Sequence, residues 1–92
     1  MIKNIKHKGL KRLYEKGDKS KLRRDIADKA ELYLSILNEA DNLDECDILG
    51  FGLHELKGDL KGYWSVVVSR NHRLIFRFKN GTAYDIDLVD YH

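Results

Sequence analysis

The sequence predicts an α+β domain in which an antiparallel sheet of about four strands carries two N-terminal helices on one face. Two observations predict it. Apolar residues recur at three- and four-residue steps up to Ala40, and after Leu53 the period changes to two. The chain also contains no proline, which favours regular elements joined by short turns. Its 92 residues make one domain, spanning 1–92, with room for one modest core.

The first helix is expected from Lys8 to Lys16, with Leu10, Leu13 and Tyr14 on one face and Gly17 as a left-handed C-terminal cap. A second helix from about Lys21 to Ala40 places Leu22, Ile26, Ala30, Tyr33, Leu37 and Ala40 on one stripe. From Asp41 to Gly52 acids alternate with Leu43, Ile48, Leu49 and Phe51, which reads as an irregular connection. The strands follow: Trp64, Val66 and Val68; Leu74, Phe76 and Phe78; Tyr84, Ile86 and Leu88.

Burial suggests the register. A two-residue Asn80-Gly81 turn pairs Phe76 with Asp85, whereas a three-residue Lys79-Asn80-Gly81 loop pairs it with Tyr84. The longer loop is therefore expected, and likewise Ser69-Arg70-Asn71 between the preceding strands. One apolar face results for the helices to cover. The other collects Ser65, Ser69, Arg73, Arg77, Asp85 and Asp87, with Val67, Ile75 and Ala83 among them. An extended Met1 to Ile5 is expected as an edge strand.

Composition excludes several classes. No apolar run approaches the ~18 residues of a membrane span, and the first residues carry Lys3, Lys6 and Lys8 without the apolar region of a signal peptide, so a cytoplasmic location is expected. Cys46 is the one cysteine, it lies among acids, and it reads as a bystander. The histidines, at 7, 54, 72 and 92, have no compact metal-ligand spacing, and Gly50-Phe51-Gly52 lacks the third glycine of a phosphate loop. No metal or cofactor is expected. Charge is segregated: ten basic residues against two acids up to Arg24, then one against eight up to Asp47. Such a chain presents either an anion-seeking surface or two helices whose charges satisfy each other.

The residues left for chemistry are His54 and Lys57 in His54-Glu55-Leu56-Lys57-Gly58-Asp59, Arg73 on a strand, and Asp90-Tyr91-His92. Cleaving RNA without a metal needs a base for the ribose 2′-hydroxyl, cations for the phosphorane charge and an acid for the 5′-oxygen. Those residue types are all here. Each also has a plainer reading: Arg73 paired with Asp87, Lys57 in a turn, His54 as a half-buried histidine, and the last three residues as a frayed end.

The chain resembles the HigB toxins, of the plasmid maintenance killer type within the RelE/ParE superfamily. The residues that carry the resemblance are Ile2-Lys3, His7-Lys8-Gly9-Leu10, Leu53 to Asp59, Gly62-Tyr63-Trp64-Ser65-Val66, Asn71, Arg73, Ile75-Phe76-Arg77-Phe78, Gly81, Ala83-Tyr84 and Val89-Asp90-Tyr91-His92. The resemblance implies a RelE-like fold and a bacterial type II toxin, a ribosome-dependent endoribonuclease that cuts mRNA in the ribosomal A site. It also implies a HigA antitoxin with a helix-turn-helix domain, through which alone the toxin reaches operator DNA, and no membrane contact. Matching positions give the roles: Lys57 and Arg73 on phosphate charge, His54 and His92 as proton carriers, Tyr91 against a base, and Asp90 holding the terminal histidine. Lys8, Lys11 and Arg12, with Arg70, His72 and Arg77, become the expected RNA contacts.

Two positions depart from the family pattern. Members usually carry tryptophan at the place of His72 and aspartate at the place of Thr82, and an aromatic surface beside Arg73 would stack a base. That leaves a second reading, a catalytically weakened toxin that acts mainly as a HigA-binding co-repressor. A third, a ParE-like gyrase poison, needs no acid-base set.

Overall fold

The computed structural model describes residues 1–90; Tyr91 and His92 lie outside the described residues. Helix α1 is Lys8–Lys16, as expected. His7 caps its start, with Nδ1 accepting from the Leu10 N–H at 3.2 Å, and Gly17 ends it at φ 65°, where the missing Cβ removes the left-handed penalty. Leu10 and Leu13 are buried, but Tyr14 is exposed and donates its hydroxyl hydrogen to Asn38 Oδ1 at 2.9 Å.

Helix α2 is Arg24–Glu39 and starts later than the periodicity suggests. The Asp18 carboxylate accepts from the N–H and hydroxyl of Ser20, at 2.9 and 2.6 Å, so the chain turns there instead of coiling. Leu22 still packs half-buried against the core from outside the helix. Ile26, Ala27, Ala30, Tyr33, Leu34 and Leu37 are buried. α1 packs on α2, and α2 lies across the sheet.

The sheet has the order β1-β2-β3-β4, all antiparallel: β1 His54–Glu55, β2 Trp64–Ser69, β3 His72–Lys79 and β4 Thr82–Asp90. β1 is a two-residue strand that the period-two pattern does not reach. The expected edge strand is present in a looser form. Residues 1–6 run beside β4 in parallel bridges, Ile2 with Ala83 and Ile5 with Ile86, and the Lys3 and Lys6 N–H groups donate to Ala83 and Ile86 at 2.8 and 2.7 Å.

The register differs from expectation. Both turns have two residues, for Ser69 pairs with His72 and Lys79 with Thr82. Asn80 and Gly81 have φ of 50° and 75°, the left-handed pair that suits a tight hairpin between twisted strands. A one-residue bulge in each hairpin then restores the inward face. Val68 is the extra residue in β2, which keeps Val66 opposite Leu74 and Trp64 opposite Phe76. In β4, Arg77 pairs with Tyr84 and Ile75 with Asp87, so Asp85 and Ile86 together face Phe76. Asp85 sits at φ 50°, a conformation that aspartate tolerates better than most side chains. Consequently Ala83 enters the core and Tyr84 shares the outer face with Arg77, the reverse of the assignment from alternation alone. Asn4 clasps the bulge: its Oδ1 accepts from the Asp85 N–H at 2.9 Å and its Nδ2 donates to Asp85 Oδ1 at 3.0 Å.

Between α2 and β1 the connection is more ordered than its sequence suggests. A 3-10 turn, Leu43–Cys46, is capped by Asn42 Oδ1 accepting from the Glu45 N–H at 3.1 Å. Tyr33 is fully buried, its hydroxyl donates to the Cys46 carbonyl at 2.8 Å, and its ring lies 5.0 Å from Phe51 and 5.9 Å from Phe76. One side chain thus ties helix, connection and sheet together.

Two predictions follow from this packing. Burial pushes the Cys46 thiol up to about 11 from an ordinary value of 9.0, and it raises the Tyr33 phenol as well. Because the unfolded thiol ionises first, its contribution to stability is full below pH 9.0 and is lost as pH rises toward about 11. Urea midpoints should fall through that window by the equivalent of roughly 2 kcal/mol more than in Cys46→Ala. Equal slopes for the two proteins would refute it. Asn4→Ala should cost about 1 kcal/mol in the same measurement, since both of its bonds to Asp85 are exposed ones.

Candidate functional site

The helices cover one face of the sheet, and the candidate site is built on the other. Strand alternation sends Ser65 and Val67 of β2, Arg73 and Ile75 of β3 and Val89 of β4 to that face, where they form the floor of a cleft. Gly52, His54, Leu56 and Leu60 form its wall, and its volume is ≈ 550 Å³. The wall exists because the chain is held at both ends. Phe51 is buried against Tyr33 and its carbonyl accepts from the Val67 N–H at 2.8 Å, while the Leu56 N–H donates to the Tyr63 carbonyl at 2.9 Å. Between these anchors Gly52, at φ 63°, turns the backbone, and β1 sets His54 opposite Ser65.

Among the described residues the lining is apolar except for His54, Ser65 and Arg73. Apolar surface with a few convergent polar groups suits a ribose or base lying flat and a phosphate held at one end. Lys57 is exposed and lines an adjoining hollow of ≈ 390 Å³ with Glu55, Leu56, Gly58 and Lys61. Leu56 is common to both hollows, so Lys57 stands beside the cleft and not in it. Asp87, the partner suggested for Arg73 by the plainer reading, lies opposite Ile75 and accepts on Oδ1 from the Leu88 N–H at 2.9 Å. Asp90 ends β4 opposite His72. Tyr91 and His92, expected as base contact and proton carrier, lie outside the described residues.

The expected RNA contacts divide. Lys8 and Lys11 are exposed on α1, and Arg70 is exposed in the β2–β3 turn. Arg12 is joined to Asp18 at 2.9 Å, and Asp18 is held well below the usual carboxylate range chiefly by the Ser20 bonds, with help from Arg12. Lys19 likewise pairs with Asp28 and Glu31, at 3.1 and 3.3 Å, so part of the basic segment does satisfy the acidic one. Arg77 lies on the Tyr63 ring, 4.6 Å from its centroid, with Nε 3.8 Å from Asp85. The missing Cβ of Gly62 leaves room for that guanidinium, since an added one would stand 3.1 Å from Nη1. His72 follows the opposite parity from Arg73, does not line the cleft, and has Nδ1 2.9 Å from Ser69 Oγ.

Sequence reasoning placed Ser65, Val67 and Ile75 on the face of Arg73 but gave them no part in the site. Alternation places Ser65 on the face of Arg73, but only the β1 pairing, made by two residues, shows it beside His54.

Comparison with known proteins agrees with this architecture. The family model for the RelE-like toxin of the type II toxin-antitoxin system HigB matches residues 3–92. The chain is 44% identical over 92 residues to Endoribonuclease HigB of Proteus vulgaris, covering all of both chains. Its fold is like that in the YoeB-YefM complex from Staphylococcus aureus, with a TM-score of 0.57 and 17% identity over 100% of this chain and 95% of that one. The two-helix, four-strand fold and the match along nearly its whole length make the chain a member of the HigB-like family of RelE-like toxins of type II toxin-antitoxin systems.

Proposed function

We propose that this toxin is an endoribonuclease that cuts mRNA in the ribosomal A site and so stops translation. The observation that carries the reading is the meeting of His54 and Arg73, from separate elements, in one cleft. The name of the Proteus vulgaris relative supports it. No metal enters the proposed reaction. A base takes the proton of the ribose 2′-hydroxyl, the oxygen attacks the adjacent phosphorus, and the bond to the 5′-oxygen breaks as that oxygen receives a proton. The products are a 2′,3′-cyclic phosphate and a free 5′-hydroxyl. Arg73 and Lys57 carry the phosphorane charge, His54 and His92 exchange the two protons, Tyr91 orients a base, and Asp90 steadies His92. Lys8, Lys11 and Arg70 face ribosomal RNA, where each phosphate contact adds salt-dependent affinity. Arg12, His72 and Arg77 approach RNA from positions already tied to protein neighbours. The partner is a HigA-type antitoxin with a helix-turn-helix domain, which carries the toxin to operator DNA, and the setting is cytoplasmic.

Primer extension on mRNA with purified ribosomes tests the reading. Cuts that require ribosomes and fall in the A site are expected; intact mRNA would leave the co-repressor reading in its place. Arg73→Ala should lower cleavage by at least about a hundredfold, the usual loss when one donor to developing charge is removed. Its melting temperature should stay near the parent's, because Arg73 contributes a cation at the cleft and not core volume. Retained cleavage would remove Arg73 from the site. Deleting His92 should lower cleavage to a similar extent while antitoxin binding, followed by copurification, is retained. Cleavage at the parent rate would withdraw the terminal histidine from proton transfer.

A further inference from the structure

Ser65 is fully buried, and its Oγ has no hydrogen-bond partner among the described residues. A buried hydroxyl in that state costs stability, and alanine would fit the same space without the cost. Packing therefore does not account for serine at this position. The hydroxyl lies in the floor of the cleft, and its cross-strand neighbours are His54 on one side and Ile75 on the other. Directly opposed residues of an antiparallel pair have Cβ atoms about 4.5–5.5 Å apart, whereas diagonal ones, as Arg73 is here, stand about 7–8 Å away. Ile75 offers no polar atom. His54 is the directly opposed side chain with a polar group that Oγ could bond, and it is exposed.

We propose that Ser65 is a positioning residue for His54: its hydroxyl takes up the imidazole nitrogen that is not facing the RNA and so fixes which nitrogen carries the mobile proton. The proposal rests on the reading of His54 as a proton carrier. A hydroxyl suits the task because it both donates and accepts. It can donate to the lone pair of neutral imidazole before a proton is gained and accept from the imidazolium N–H afterwards. A carboxylate at the same place would favour imidazolium throughout and hold back the proton.

The test is single-turnover mRNA cleavage on programmed ribosomes, measured from about pH 6 to 9 for the parent, Ser65→Ala, His54→Ala and the double variant, with a thermal melt of each. Ser65→Ala is expected to lose about tenfold in rate, the scale of lost support behind a functional imidazole. It should also shift the pH limb that His54→Ala abolishes, melt at or above the parent temperature, and add no loss in the His54→Ala background. Parent-like cleavage and pH profile in Ser65→Ala, beside an impaired His54→Ala, would overturn the proposal alone. So would an equal loss in both backgrounds, which places Ser65 on the RNA or on Arg73, and so would a clear fall in melting temperature, which makes it a packing residue. Parent-like cleavage by His54→Ala would instead remove His54 from catalysis and take the proposal with it.

Discussion

The register of β3 against β4 is the constraint on which the rest of the molecule depends. Side chains alternate along a strand, so a slip of one residue exchanges its buried and exposed sets completely. Asn80-Gly81 makes the tightest hairpin available, and left alone that turn would bring Asp85 inward opposite Phe76. The extra residue at Asp85 cancels the error within one pair: Ile86 takes the inward place, and Asp87 and Val89 return to the outer face. Arg73, Ile75 and Val89 share the cleft because of that correction. A second bulge at Val68 does the same for Ser65 and Val67.

Position in the site comes from the core as much as from the sheet. Tyr33 anchors the connection after α2 by bonding the Cys46 carbonyl and packing on Phe51, and Phe51 begins the segment that walls the cleft. Rigid support on the helix side thus fixes where His54 leaves the connection and meets β2. His54, the polar residue of the wall, is a surface residue on a segment held by buried aromatic ones, which is how a small domain keeps an exposed face precise.

Much of this was legible in the sequence, and the failures are physical ones. Periodicity located both helices, three strands and the two faces, because burial on one side is a property of whole elements. Turn length was misread because a bulge shifts register by one residue and leaves no separate mark in composition: Ala83 and Tyr84 exchanged faces on account of Asp85. β1 is too short to show a period, and without it Ser65 was only one polar residue among several. The start of α2 moved because Ser20 bonds Asp18, a local competition that an apolar stripe does not record. His54, Lys57 and Arg73 were named from chemistry and resemblance, and the fold brings the first and last into one cleft while setting Lys57 beside it.

The pairing of residues 1–6 with β4 bears on how the chain is made. Residues 1–6 find their hydrogen-bonding partners in β4, far along the sequence. Until β4 has been translated, β3 has one neighbour, the N-terminal segment has none in the sheet, and the Val89 side of the cleft does not exist. Contacts this distant in sequence also close late in folding, after local helices have formed. A chain without β4 therefore lacks one side of the cleft, and the site is assembled only when β4 has paired with β3 and with residues 1–6.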